Sequence, residues 1–170
     1  LDIPVAVNVS PLQFRNPKFF QSVVESLEET GLPARYLEIE ITENAMMHDN
    51  EFSLGLLRKL SERGVRFAID DFGTGYSSLG LLNRVPIDKL KIDRSFVQNL
   101  AVHSDSGAIV RSVTGMGHVL QVDVFAEGVE TEGQLRALRD IGADGAQGYY
   151  FARPMSVDEL LMRARPIHPN

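Results

Sequence analysis

Short apolar, β-branched runs alternate with amphipathic stretches along this chain. Val5-Ala6-Val7-Asn8-Val9 reads as a buried strand. A helix is predicted next, capped by Asn16 with Pro17 in its first turn, its apolar face built from Phe19, Phe20, Val23, Val24 and Leu27. Gly31 and Pro33 stop it. Tyr36 to Ile41 reads as a second strand, and Phe52, Leu56, Leu57 and Leu60 mark a helix ending at Gly64. A third strand, Val65 to Ile69, runs into Asp70-Asp71-Phe72-Gly73. A short helix from Ser78 to Leu82 leads to a fourth strand, Lys89 to Ile92. Ile109, Val113, Met116 and Leu120 define the face of the next helix, and Asn99 to Gly107 before it reads as a polar loop. Asp123 to Ala126 is a fifth strand. Thr131 and Gln134 form a capping box for a helix carrying Leu135, Leu138 and Ile141, which Gly142 ends. Gly148 to Phe151 reads as a sixth strand, before a last helix boxed by Ser156 and Glu159.

Six βα units without consecutive hairpins predict an α/β fold with a parallel sheet, open or closed as a barrel. A complete (βα)8 barrel needs about 250 residues, and this chain has 170. The expectation is a TIM-like barrel, incomplete at its N-terminal side, in one domain over residues 1–170.

Composition narrows the chemistry. With 44% hydrophobic residues and no cysteine, the chain is neither disordered nor a disulfide scaffold. No apolar run approaches the roughly 20 residues of a membrane span, and Leu1-Asp2-Ile3-Pro4 lacks a basic leader. A cytoplasmic location without membrane contact is expected. A net charge of −6 argues against a nucleic-acid polymer as partner, unless metal ions change the sign of a site.

The polar residues cluster at strand ends. Asn8 closes the first strand, Glu40 and Glu43 the second, Asp70 and Asp71 the third, Lys91 and Asp93 the fourth, Glu127 and Glu130 the fifth, with Gln147 at the sixth. In parallel α/β folds the carboxyl ends of the strands form the rim that carries chemistry. Carboxylates gathered there repel one another, and divalent cations keep them ionised. Such hard oxygen donors suit Mg²⁺ or Mn²⁺. A single strand-end acid is as often a helix cap or a solvated loop residue, but acids ending four successive strands are poorly explained that way. Adjacent residues of a strand face opposite ways, so Asp70 and Asp71 either split between two sites or converge through a backbone turn. Lys91 alternates with Leu90 and Ile92, which makes it a salt-bridge partner or a catalytic electrostatic group; Asp93 could equally cap the segment after it. Asp71-Phe72-Gly73 lacks the companion motifs of a kinase. His48, His103, His118 and His168 follow no metal-ligand spacing.

Six motifs then stand in order: Asn8-Val9-Ser10-Pro11, Glu40-Ile41-Thr42-Glu43, Asp70 to Leu79, Lys91-Ile92-Asp93, Glu127-Gly128-Val129-Glu130-Thr131 and Gln147-Gly148-Tyr149. By these the chain resembles the EAL-domain cyclic di-GMP phosphodiesterases of bacteria over essentially its whole length. The resemblance implies a TIM-like barrel that hydrolyses cyclic di-GMP to linear pGpG with two Mg²⁺ or Mn²⁺ ions. It implies Asn8, Glu40, Asp70, Asp71 and Glu127 as metal ligands, direct or through water, and Lys91 as the residue that positions or polarises the attacking water. Glu43 is implied as the anchor of the Asp71 to Leu79 loop, which couples metal binding to dimerisation in the family, and Glu130 and Gln147 as further site residues near metal water and substrate. The Glu-Ala-Leu segment that names the family is absent from the sequence. The expectation is therefore the C-terminal three quarters of such a domain, impaired by itself, with a sensor or diguanylate cyclase domain in the parent chain. Self-association is expected through the Val5 to Val9 edge and an edge near Tyr149 to Phe151. Two other classes compete: a cyclic di-GMP receptor without turnover, and metal-assisted proton abstraction, which nothing in the Asp70 to Ser78 loop supports.

Overall fold

In a computed structural model of the chain, residues 3–47, 50–75, 79–100 and 104–163 are described. Tyr76, Ser77, Ser78, His48, His103 and His168 lie outside them. Six strands, β1 (Val5–Val9), β2 (Leu37–Thr42), β3 (Arg66–Phe72), β4 (Lys89–Ile92), β5 (Asp123–Ala126) and β6 (Gly145–Ala146), pair in parallel in the order β1-β2-β3-β4-β5-β6. Sequential order distinguishes the fold from a doubly wound sheet, where the order reverses at a switch point. Right-handed crossovers that always step the same way put every helix on one face, which is how a TIM-like barrel is built.

Alternation along the strands separates the two faces. Ile39, Ile41, Phe67, Ile69, Leu90, Ile92 and Val124 point outward and are at most 1% exposed. They share one core with Leu57 and Leu60 of α4 (Asn50–Ser61), Val97 of α6 (Arg94–Gln98), Val110 of α7 (Ser104–Leu120) and Leu138 of α8 (Glu132–Ile141). The opposite positions, Glu38, Glu40, Arg66, Lys89, Lys91 and Phe125, line an interior cavity of about 380 Å³. At the edge strand β1 the outward Val5 and Val7 remain 53% and 44% exposed.

Several elements differ from the expectations. Three short helices were not read from the sequence: α1 (Pro11–Phe14), α3 (Glu43–Met47) and α6. A Ser10–Gln13 capping box with Pro at its start forms α1 and buries Phe14 completely. The first long helix, α2 (Phe19–Thr30), begins after Lys18, because Asn16 turns the chain by accepting from the Lys18 N–H at 2.9 Å instead of capping a helix. Tyr36 belongs to a 3-10 turn, Ala34–Tyr36, before β2. The buried side of α4 runs through Leu54, Leu56, Leu57 and Leu60, leaving Phe52 exposed; that of α7 runs through Val110 and Val113 with Met116 and Leu120 packed against the core, leaving Ile109 exposed. The helix α7 also takes in Ser104 to Gly107 of the expected loop.

The sixth strand is the largest correction. β6 is Gly145–Ala146, and Gly148 to Phe151 is a turn closed by the Phe151 N–H on the Gly148 carbonyl at 3.1 Å. The aromatic run resembles a strand by propensity alone. Its geometry is set instead by Gly148, whose missing side chain lets its backbone pass against that of Val129. The expected edge near Tyr149 to Phe151 is therefore an exposed aromatic turn. The short helix after β3, α5, is Leu79–Leu82, and α9 (Val157–Arg163) starts on the Ser156–Glu159 box as read.

Candidate metal-binding site at the strand ends

The site is organised by Lys91, whose side chain rises from β4 on the inner face. Its Nζ lies 2.8 Å from Glu40 of β2, 3.3 Å from Asp70 of β3 and 2.5 Å from Glu127, the residue after β5. Alternation explains why: Leu90 and Ile92 take the outer face, so Lys91 must enter the cavity. At 5% exposure an ammonium needs partners, and the three strand ends provide them. Burial alone would push Lys91 down. Its hydrogen bonds to Glu127 and Glu40, with the charges of Glu127 and Asp70, outweigh that and hold it well above the ordinary lysine value. Lys91 is an ammonium at neutral pH.

A β-bulge decides the fate of the acid pair. Ile69 pairs with Leu90 and Phe72 with Ile92, so Asp70 and Asp71 together oppose the single Lys91. Asp71 absorbs the extra residue at φ +54°, a left-handed conformation that costs roughly 1–3 kcal/mol but is least unfavourable for Asp and Asn. Both carboxylates thereby reach one place, which resolves the alternatives left by the sequence. Ligand oxygens of Asp70, Asp71 and Glu127 all lie within 4.8 Å of one another. That is close to the ~4.2 Å between oxygens on opposite sides of an ion with bonds of about 2.1 Å.

The charges in this cluster are unbalanced. Burial raises the Asp71 carboxyl above its usual range, and the charges of Asp70 and Asp93 raise it further. Glu127 is also raised by burial, although its bond to Lys91 pulls the other way. Asp93 moves down despite burial, because Ser95, Asp71 and the Arg94 N–H all bond to it. It caps α6 through the Ser95 N–H at 2.9 Å, so both readings of Asp93, cap and site neighbour, describe it. Four carboxylates around one ammonium, all hard oxygen donors, fit a divalent cation.

The remaining residues stand around this centre. Glu40 is joined to it through Lys91 and lies outside the three-carboxylate group. Asn8 is the register partner of Glu40 on β1 and is exposed. Glu43 is buried, begins α3, and accepts from the Gly73 and Gly75 N–H groups, each at 3.3 Å. A side chain at Gly75 would stand 3.0 Å from that carboxylate, so closing the loop on Glu43 with any other residue there needs Glu43 to shift. Glu130 and Gln147 face a recess of about 200 Å³ shared with Glu127, Gly128 and Arg94. Arg94 was not singled out from the sequence; its position one residue after Lys91-Ile92-Asp93 was the available signal. Among the described histidines, His118 sits far along α7, 3.3 Å from Asp144.

The sequence matches the EAL domain family over residues 1–154. It is 44% identical over 160 residues to the bifunctional diguanylate cyclase/cyclic di-GMP phosphodiesterase MucR of Pseudomonas aeruginosa, a match covering 94% of this chain and 23% of that protein. The solved phosphodiesterase of MucR, in complex with cyclic di-GMP, superposes with a TM-score of 0.90 over 92% of this chain and 64% of that one at 44% identity. A manganese and cyclic di-GMP complex of BlrP1 from Klebsiella pneumoniae superposes with a TM-score of 0.81 at 35% identity, covering 89% of this chain and 39% of that one. The chain spans about a fifth of the length of the curated relatives it matches.

Proposed function

The chain belongs to the EAL domain family, and from that premise we propose that the full domain to which it contributes hydrolyses cyclic di-GMP to linear pGpG with two Mg²⁺ or Mn²⁺ ions. The observation that carries this reading is the convergence of Glu40, Asp70 and Glu127 on Lys91, with Asp71 brought to the same place by a bulge. Asp70, Asp71 and Glu127 would hold a cation, and Asn8 and Glu40 supply the further oxygens. Bound divalent ions would lower the pKa of a water and offset the charge of the phosphodiester.

The chain's own residues do the rest. As an ammonium, Lys91 donates to a water or a phosphoryl oxygen and orients it; it does not accept a proton. Hydrolysis forms one bond from water oxygen to phosphorus and breaks the P–O3′ bond, leaving a 5′-phosphate and a 3′-hydroxyl. The attacking water gives up one proton and the departing 3′-oxygen takes one up, so the hydrolysis leaves the rim carboxylates in their starting state. Glu130 and Gln147 contact the substrate from their recess, and Glu43 holds the loop that presents Asp71.

Other parts of the reading concern the whole protein. A sensor or cyclase domain accompanies this one, and copies associate through the exposed Val5 and Val7 and the Tyr149 to Phe151 turn. Among the described residues, no helix is long and apolar enough to cross a membrane. We place the domain in the cytoplasm. The test of function is incubation of the purified full-length protein with cyclic di-GMP and Mn²⁺ or Mg²⁺, followed by chromatography. Linear pGpG is expected with metal and none after chelation. Tight binding of cyclic di-GMP with no turnover at any metal concentration would establish a receptor instead.

A further inference from the structure

Two levels of charge are stacked inside the cavity, and the mechanism uses only the upper one. On β2, Glu38 lies two residues before Glu40; on β4, Lys89 lies two residues before Lys91, so each pair shares one face. The lower pair is closed on itself. Lys89 Nζ stands 2.7 Å from both Glu38 oxygens and 4.4 Å from the centre of the Phe125 ring. Both Glu38 and Glu40 are buried, and one cavity of about 380 Å³ joins the two levels. No wall separates Lys91 from Glu38.

We propose that Lys89 is a positioning residue: by neutralising Glu38 it keeps Lys91 bonded to Glu40, Asp70 and Glu127. This rests on Lys91 acting in the hydrolytic site. A buried carboxylate stripped of its cation is strongly disfavoured, so Glu38 without Lys89 recruits another. Two cations can answer. Lys91 lies one pleat above, and Arg66 is the register partner of Glu38 on β3, exposed and in no ion pair among the described residues. When Lys91 answers, the rim loses the ammonium that holds three carboxylates together.

The test therefore removes Lys89 in a background without Arg66, R66Q/K89M, and reads two signals. One is the side-chain NMR resonance of Lys91, which reports its partners whether or not the protein turns over substrate. The other is steady-state hydrolysis of cyclic di-GMP. R66Q alone is expected to match wild type. R66Q/K89M is expected to shift the Lys91 resonance and lower kcat roughly 10–100-fold with KM unchanged, and adding E38Q should return both signals. An unchanged Lys91 resonance in R66Q/K89M, or a loss that E38Q does not reverse in folded protein, would overturn the proposal. Should R66Q/K89M not fold, E38Q/K89M decides: a wild-type Lys91 resonance is expected, and a displaced one would overturn it. A wild-type protein without hydrolysis would defeat the functional reading while the NMR result still decides the position of Lys91.

Discussion

On β4, Leu90 and Ile92 point outward into a dry apolar core, while Lys89 and Lys91 point inward among carboxylates. The same alternation holds on β2, where Ile39 and Ile41 face the helices and Glu38 and Glu40 face the cavity. One backbone thus carries two environments a single residue apart. The outer face holds the fold together by removing apolar surface from water. The inner face contributes little net stability, because desolvating its charges offsets their attraction. The inner face is instead a set of oriented charges, and at the rim it carries more negative charge than Lys91 balances.

The comparison is broken most severely at Lys91. Lys91→Met should lower hydrolysis roughly 10²–10³-fold and destabilise the metal-free protein, since three carboxylates lose their shared ammonium. Thermal melts should show that Mn²⁺ recovers much of that stability, the ion replacing the lost positive charge. On the outer face, Phe67→Ala should cost about 3–5 kcal/mol in urea unfolding, and Mn²⁺ should stabilise it by no more than it stabilises wild type. Equal rescue of both variants would erase the distinction between the faces.

Glu43→Ala should act more gently, because Glu43 binds the Gly73 and Gly75 N–H groups and not the cluster itself. Turnover should fall roughly 10–100-fold, while Mn²⁺ affinity by calorimetry changes less. Parallel loss of both would mean that Glu43 is part of the metal site. The smallest effect is expected away from both faces, at the start of α9. Glu159 is held below the usual carboxylate value by the Ser156 N–H and hydroxyl. Its contribution is therefore present above the ordinary Glu pKa and fades as pH falls through the folded value. Circular dichroism should show α9 fraying on acidification in the wild type and no such dependence in Glu159→Gln.

The same contrast between faces decided what was legible in the sequence. Outer-face periodicity located five of the six strands, because alternating apolar residues record burial directly; the sixth was placed on Gly148 to Phe151, which is a turn, instead of Gly145–Ala146. Gly31, Gly142 and the Thr131–Gln134 box marked helix ends that the structure keeps. The short helices α1, α3 and α6 were missed because five residues or fewer give no period, although Ser10-Pro11-x-Gln13 carried a capping signal. The faces of α4 and α7 were read correctly except at Phe52 and Ile109, which are apolar yet exposed. At the site, residue types, strand-end positions and their gathering on one rim were legible, but which oxygens approach one another was not. The bulge was written in the spacing: Phe67 and Ile69 are two apart, while Ile69 and Phe72 are three apart, which leaves room for two inward acids. Pairing of Lys89 with Glu38, from strands 51 residues apart in sequence, has no local signature at all.

The central claim is that Asp70, Asp71 and Glu127 form a divalent-cation site beside Lys91. Anomalous diffraction from crystals of the chain grown with Mn²⁺ tests it most directly. Manganese is expected between these three carboxylates, with Lys91 still bonded to Glu40. Crystals saturated with Mn²⁺ that show no anomalous peak there, or only peaks elsewhere on the surface, would contradict the account.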